Sequence, residues 1–469
     1  KVNAYVARLD AMLKEMEIAS DLYIMQSNGG VITAEMAREM SARTILSGPA
    51  GGALTGVFLA KSVDQPNIIT IDMGGTSSDI CLIEDCSPRL TTEADIEGYP
   101  IKLPMIDINT IGAGGGSIAW IDAGGALRVG PQSAGADPGP VCYDRGGTEP
   151  TVTDANAILG RINPDYILGG EMNLDLARAK TVMEEKIARP LGIDLLKAAE
   201  GIIAVVNANM IRGIRRVSVE RGYDPRNFVL VPFGGAGPLH GVELARELNM
   251  PQIIVPAYPG IASAFGMLSA DVRHDYVRTH ITETGHADVD HLESLFRDME
   301  SNGSAQLGRE GFSGASSVLL RYADMRYHRQ AYELSIPLIK GRLSREGIEN
   351  LVRHFHQSHQ AAYGYTREKE PVEFVNLRVV ALGKLPAIST SDDRPKGKKP
   401  PVPINSRRVV FNGQPVETKV YQRDSLLHEQ LIQGPAVVEQ LDSTIVVPPR
   451  YRAETDRYGN LMIQKGEQS

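Results

Sequence analysis

Apolar residues recur at helical spacing at the start of the chain, where Val6, Leu9, Met12, Leu13 and Met16 form one stripe and predict a helix over 2–16. A short strand over 22–25 and an Asn28-Gly29-Gly30 turn follow. Small residues over 53–61 predict a tightly packed helix behind Ser47-Gly48-Pro49-Ala50-Gly51-Gly52, whose glycines serve either a ligand or close helix packing. The β-branched run 67–72 predicts a strand, and a second one, 80–83, comes too soon for any helix between them. Thr151-Val152-Thr153-Asp154 precedes an apolar helical segment, making Thr153 or Asp154 a natural N-cap. The strongest helical pattern spans 198–221, with Ile203, Val206, Met210, Ile214 and Val217 on one face and Gly222 as the stop. Arg212, Arg215, Arg216 and Arg221 crowd its last turns, where cations suit the negative end of the helix dipole.

A strand over 228–232, a glycine loop over 233–238, a helix over 239–248 and a strand over 252–255 then alternate, which implies an α/β core. Past about residue 275 the pattern predicts strands over 318–327, 332–336 and 374–382 around a helix over 345–363. Residues 389–408, rich in Pro, Lys, Arg and Asp, read as a surface linker before a β-rich end that includes 436–438 and 444–447.

At 469 residues the chain exceeds what one hydrophobic core usually supports, so two or three domains are expected. A net charge of −8 with both signs well mixed argues against a nucleic-acid or anionic-membrane surface and leaves small molecules or protein as partners. Cys81, Cys86 and Cys142 lack paired metal-ligand spacing and read as free thiols of a reducing cytoplasm. No apolar run approaches membrane-spanning length. His354, His356 and His359 invite a metal reading, but His354 and His356 fall on different helix faces where zinc helices use i and i+4.

The candidate chemistry centres on Asp72-Met73-Gly74-Gly75-Thr76-Ser77-Ser78-Asp79. Two strands joined by this glycine- and hydroxyl-rich turn offer backbone N–H groups and hydroxyls to an anion, and the competing reading is an ordinary hairpin turn. A P-loop is excluded, because it needs a helix after the glycines and a Gly-Lys-Ser/Thr ending. The glycine-rich stretches 110–117 and 130–140 read either as ordered loops that approach a ligand or as tight turns between strands. Phe233-Gly234-Gly235-Ala236-Gly237-Pro238, between strand and helix, suits close backbone approach to a nucleotide.

The hairpin resembles the phosphate hairpin of the superfamily joining acetate and sugar kinases, heat-shock chaperone ATPases and actin. Eight motifs in order then resemble the hydantoinase A and 5-oxoprolinase family, which includes an acetone carboxylase subunit: SNGG (27–30), SGPAGG (47–52), DMGGTSSD (72–79), TIGAGGGS (110–117), VGPQSAGADPGPVCY (129–143), TVTDAN (151–156), FGGAGPLHG (233–241) and GPAVVEQLDSTIVVPP (434–449). The resemblance spans essentially the whole chain. It implies an α/β, ribonuclease H-like core of the sugar kinase, chaperone and actin type with a β-rich C-terminal module. The corresponding divisions are 1–66, a remnant of an N-terminal lobe; 67–275, the nucleotide-binding core; 276–390, an α+β extension; and 391–469, the β-rich module. Family members carry a first hairpin of similar type in an N-terminal lobe, so this chain, which lacks an initiator Met, is expected to be a fragment of a longer product.

The implied activity is ATP-dependent opening of a hydantoin or 5-oxoproline type ring, in which the carbonyl oxygen attacks the γ-phosphate and water opens the phosphorylated species. ATP and Mg²⁺ are the implied cofactors and a B-type subunit the implied partner. Asp72 would hold the metal; Gly74, Gly75, Thr76 and Ser77 would orient phosphate oxygens; Gly234, Gly235 and Gly237 would pass against the adenosine. Asp137 and Asp154 are further catalytic candidates, with Asp107, Thr110, Gly114, Gly115, Gly116 and Ser117 on the substrate side. His240 serves either ribose or phosphate, or satisfies loop carbonyls, and Asp79 either binds metal or braces the hairpin. A ketone carboxylase subunit and a non-catalytic assembly subunit are the alternative readings.

Overall fold

The computed structural model describes residues 1–91, 94–96, 99–101, 103–166, 168–338, 341–386 and 394–466. The chain divides into two compact units, each assembled from two separate stretches: Lys1–Ser47 with Ser269–Ile388, and Gly48–Leu268 with Ser389–Ser469.

The first unit carries a six-stranded sheet in the order Tyr23–Met25, Val31–Thr33, Val272–Glu283, Val372–Gly383, Ser317–Tyr327, Leu334–Pro337. Its core forms where Leu292, Phe296 and Met299 of one helix and Leu351 and Phe355 of another meet Met325, Leu377 and Val379 of the sheet. The second of these helices, Arg345–Tyr363, matches the expected span, with Ser344 accepting from Gly347 N–H and Gly364 at positive φ ending it. The first, Val289–Arg309, escapes the sequence reading. Its apolar stripe is thin, and Gly303 replaces a side chain where a Cβ would come within 2.9 Å of Ala381. The three histidines of the Arg345–Tyr363 helix are not grouped as ligands. Buried His359 hydrogen-bonds the Tyr365 carbonyl at 2.8 Å, and His356 pairs with the Tyr327 hydroxyl at 2.7 Å.

In the second unit the elements that matter are α1 (Ser47–Ser62), β1 (Ile68–Met73), β2 (Ser78–Glu84), β3 (Ile108–Ile111), α2 (Val152–Ile158), α3 (Leu195–Val217), β4 (Val229–Phe233), α4 (Gly237–Glu247), β5 (Ile253–Val255), α5 (Ala262–Leu268), β6 (Leu431–Gln433), β7 (Tyr451–Thr455) and β8 (Leu461–Lys465). They form a mixed sheet in the order β3-β2-β1-β4-β5-β8-β7-β6, with Ser87–Pro88 added on β2. β1 and β4 run parallel, and the β1–β2 and β2–β3 pairs are antiparallel. Val206, Met210, Ile214 and Val217 of α3 bury against Ile69, Ile71, Met73 and Ile80 of the sheet. The intervening residues of β1 face the other way, where Gly56 of α1 lies so close that a Cβ would overlap Thr70 and Ile83. The Ser47–Gly52 stretch is therefore part of the helix rather than a loop before it, and Gly51 and Gly56 serve close packing: a Cβ on Gly51 would come 2.5 Å from the Ser263 carbonyl.

A separate four-stranded sheet is built from Asn405–Phe411, Gln414–Gln422, Ala436–Glu439 and Thr444–Val447. The expected linker is thus shorter than 389–408, because Asn405–Phe411 pairs with Gln414–Gln422 through buried Val409 and Val410; residues 389–393 of it lie outside the described residues. Among the described residues no helix is long and apolar enough to cross a membrane.

Candidate functional site

Register places three polar side chains in one row at the end of the sheet. Thr110 of β3 lies opposite Asp79 of β2, Asp79 opposite Asp72 of β1, and Asp72 beside Phe233 of β4. Because β1 and β4 are parallel, this row marks their carboxyl ends, where ligands of open α/β sheets bind. Ser263 donates to Asp72 Oδ2 at 2.8 Å and Thr110 to Asp79 Oδ1 at 2.6 Å. Burial pushes the Asp72 carboxyl up from the ordinary aspartate range; the Ser263 hydrogen bond opposes this and the Asp79 charge adds to it. Burial raises Asp79 as well, against its hydrogen bond from Thr110. Two partly desolvated carboxylates side by side are an arrangement that a cation relieves. Among the described residues no group of three or more His, Cys, Asp or Glu forms a metal cage. Mg²⁺ needs no such cage, since it uses one or two carboxylates together with water and phosphate oxygens.

The turn between β1 and β2 is open at its tip. Gly74 N–H donates to the Ser77 carbonyl at 3.1 Å, while Gly75 and Thr76 are exposed and their N–H groups have no hydrogen bond among the described residues. A Cβ on Gly74 or Gly75 would meet nothing within 4 Å, so packing does not require glycine there. From beneath, a second glycine loop holds the tip: Gly115 N–H donates to the Gly74 carbonyl at 3.0 Å and Gly116 N–H to the Gly75 carbonyl at 2.6 Å. Gly114 is glycine for a steric reason, because its Cβ would stand 2.6 Å from the Gly75 carbonyl and the Thr76 nitrogen. Thr153 fixes this loop in turn, its N–H and hydroxyl both donating to the Gly115 carbonyl at 2.8 and 2.9 Å.

Gly114, Gly115, Gly116 and Ser117, expected on the substrate side, are all buried; Ser117 Oγ accepts from Gly114 N–H at 2.9 Å, and the loop buttresses the hairpin from beneath. Thr110 does reach the carboxylate row. Asp107 does not: it sits between Arg221, at 3.1 Å, and Arg89, at 3.9 Å, three residues and roughly 10 Å of extended chain before Thr110. Asp154, expected as a catalytic candidate, lies inside the protein at the start of α2. Thr151 is the N-cap, and the buried Asp154 carboxylate accepts from Thr151 N–H and Oγ1 at 2.8 Å each, Val141 N–H at 3.2 Å and Cys142 N–H at 2.7 Å. A carboxylate has about four acceptor sites, and these are filled. Asp137 is exposed, beyond Ser133, whose hydroxyl reaches Thr76 at 3.4 Å; among the described residues nothing ties the Asp137 side chain to Asp72.

The loop after β4 closes the other side. Gly234 has φ of 78° and lies so near that a Cβ would overlap Asp72 Oδ1 and the Met73 carbonyl. Its N–H donates to the Pro259 carbonyl at 2.8 Å, and Ala236 N–H donates to the Met73 carbonyl at 3.0 Å. Gly235 is exposed and Gly237, buried, opens α4, whose positive end thus starts beside β1. His240 does not reach this surface. It is fully buried, paired with Asn207 Oδ1 at 2.8 Å and Asn156 Nδ2 at 3.4 Å, and burial lowers its pKa to about 4. Neutral imidazole with the proton on Nδ1 satisfies both neighbours. Asn207 and Arg161 both hold Glu243 at 2.7 Å, extending the network across α2, α3 and α4.

Sequence reasoning missed Ser263, Asp442 and Ser443, and expected Thr153 as a helix cap where the structure has it holding the Gly115 carbonyl. Asp442 accepts from Gly260 N–H at 2.8 Å, and Ser443 approaches the Gly235 carbonyl at 3.4 Å. Both belong to the 434–449 motif, whose membership of the site is invisible until β-strand pairing returns it to the glycine loops.

A mixed α/β sheet thus ends in a partly buried carboxylate pair, an open glycine tip whose Gly75 and Thr76 N–H groups have no hydrogen bond among the described residues, and a glycine loop pressed against the same carboxylate. The hydantoinase/oxoprolinase family model matches residues 1–276, and the hydantoinase/oxoprolinase C-terminal domain model matches 281–465; the chain belongs to this family. It is 39% identical to the caprolactamase subunit alpha of Pseudomonas jessenii over 96% of this chain and 66% of that protein. The crystal structure of the ATP-dependent caprolactamase from that organism superposes with a TM-score of 0.88 at 37% identity, over 99% of this chain and 68% of that one. Nucleotide-free acetone carboxylase superposes with a TM-score of 0.79 at 27% identity, over 98% and 66%. 5-oxoprolinase 1 of Arabidopsis thaliana is 32% identical over 99% of this chain and 37% of that protein. The chain therefore spans about two thirds or less of the curated relatives it matches.

Proposed function

We propose that this chain is the nucleotide-handling part of an ATP-dependent cyclic amidase, acting with a B-type partner subunit, on a core of the sugar kinase, chaperone and actin type. The observation that carries the reading is the exposed hairpin tip with free Gly75 and Thr76 N–H groups, adjoining the Asp72–Asp79 row. Amide resonance makes the carbonyl carbon a poor electrophile. In this reading phosphoryl transfer from ATP to the carbonyl oxygen removes that resonance, and water adds to the carbon. The ring C–N bond then breaks with a proton going to nitrogen, and hydrolysis of the acyl phosphate so formed releases carboxylate and phosphate. The tip N–H groups and the Thr76 and Ser77 hydroxyls hold phosphate oxygens; Asp72, oriented by Ser263, is the residue for Mg²⁺; Gly235 and the start of α4 line the adenosine side. Asp79 is braced by Thr110 and raises the charge density that favours a cation. Ring opening is favoured over carboxylation by the caprolactamase likeness, 37% identical in the superposed structures against 27% for acetone carboxylase.

The test uses the full-length protein with its neighbouring subunit, ATP and, separately, a lactam, 5-oxoproline, a hydantoin, or a ketone with bicarbonate. Phosphate release that depends on a cyclic amide supports the reading; release only with ketone and bicarbonate replaces it with the carboxylase. Asp72→Asn should abolish that release. Because the folded pKa of Asp72 is raised, its ionised form costs stability as pH rises through that pKa, so the variant should melt at the same or a higher temperature at pH 8. Retained turnover in Asp72→Asn would reject the metal assignment.

A further inference from the structure

We propose that the groove between α3 and the backbone segments 109–113 and 128–131 binds a small organic carboxylate with an apolar body. A cavity of about 540 Å³ opens there, within the range of small-molecule sites and wholly inside the second unit. It lies across the sheet from the Asp72 row: Asn109 and Ile111 of β3 face α3, whereas Thr110 between them turns to Asp79. The inference does not depend on what the hairpin binds.

Three observations define the ligand. Arg212 and Arg216 stand one helical turn apart on α3 and both line the groove. Arg212 is tied to Asn209 Oδ1 at 2.5 Å, Asn209 itself donating to the Val129 carbonyl at 3.2 Å, and among the described residues neither arginine has a carboxylate partner. Arg128 of the same wall is already paired with Asp122 at 2.7 Å, so two unpaired cations face the one acid of the lining, Glu220. The opposite wall is apolar. Trp120 spends its only polar atom on the Gly130 carbonyl at 3.1 Å, leaving a partly exposed indole beside Ile111, Val129 and Pro131.

The shape is enforced by glycine. A Cβ on Gly130 would lie 2.7 Å from the Gly112 carbonyl, and one on Gly112 would lie 3.1 Å from Pro131, so the floor is backbone on backbone. A Cβ on Gly213 would come within 2.6 Å of Ile80, which lets α3 lie flat on the sheet and sets Arg212 and Arg216 beside that floor. Two guanidinium groups at one end recognise a carboxylate by paired hydrogen bonds, and the indole and aliphatic wall take a hydrocarbon ring or chain. A bare inorganic anion uses only half of this surface.

Trp120 is the only tryptophan of the chain, so emission excited at the red edge, where the chain's 16 tyrosines scarcely absorb, reports on this groove alone. The protein is titrated at constant ionic strength with cyclohexanecarboxylate, cyclohexanecarboxamide and inorganic phosphate. The expected result is a saturable emission change with the carboxylate, at least roughly tenfold weaker with the neutral amide and with phosphate. Arg212→Gln with Arg216→Gln should weaken the carboxylate response by a similar factor with an unchanged melting temperature; both side chains are exposed, so folding is not at stake. No saturable change, an equal response to the amide, or full affinity in the double variant overturns the proposal.

Discussion

At the scale of single residues, what decides a carboxylate's task is who donates to it. Asp154 collects three backbone N–H groups and a hydroxyl inside the protein, so Asp154→Ala strands the Val141, Cys142 and Thr151 N–H groups without an acceptor. We expect urea unfolding to register a loss of about 3–5 kcal/mol, and a loss under about 1 kcal/mol would contradict the capping role. His240 titrates against the fold in the opposite sense to Asp72. Its folded pKa lies near 4, below the ordinary 6.5, so its stabilising contribution is complete above pH 6.5 and is lost as pH falls toward 4. The expected magnitude is a few kcal/mol, on the order of 1.4 per pKa unit, and His240→Gln should flatten that part of the melting-temperature profile. A helix start at 151–154 was legible with Thr153 or Asp154 expected as the cap, whereas Thr151 is the cap and Asp154 its partner in the capping box. Whether Asp154 also touched substrate was not legible, since that depends on Val141 and Cys142 reaching it.

At the scale of elements, the hairpin works because a second loop supports it. Gly74 and Gly75 have free space around them, but Gly114 does not. Gly114→Ala should therefore push the tip away from its buttress, weakening nucleotide binding by tenfold or more while costing roughly 1–3 kcal/mol of stability. Gly75→Ala, with no clash, should cost far less stability; calorimetric ATP titration of the two variants in the full-length protein separates them, and equal stability losses would refute the buttress. The hairpin strands were readable from their runs of β-branched and apolar residues, buried on both faces, and the helix of the 198–221 pattern from its one strong face; α3 ends at Val217 with a 3₁₀ turn, Val219–Arg221, carrying the rest. The Val289–Arg309 helix was not readable, because Gly303 interrupts its buried stripe and its packing partner, Val372–Gly383, begins more than sixty residues after it ends.

At the scale of the whole molecule, each compact unit is made of two stretches of chain, and the nine-stranded sheet is completed only when β8 pairs with β5. A chain shortened to residues 1–388 loses β6, β7 and β8 and leaves the edge of β5 open, so it should lose cooperative thermal unfolding; a sharp transition close to that of the longer chain would show that the C-terminal stretch is dispensable. The same return of the chain brings Asp442 and Ser443 to the glycine loops. Local pattern determined the hairpin, the strand-loop-helix succession at 229–247 and the family, because side-chain periodicity and turn chemistry act over a few residues. Tertiary structure alone decided which carboxylates stand beside the open hairpin tip and which are tied up elsewhere. Asp107 is neutralised by Arg221, 114 positions away, and Asp72 is oriented by Ser263, 191 positions away. Hydrogen-bond partners and burial are set by neighbours in space, and no spacing along the chain records them.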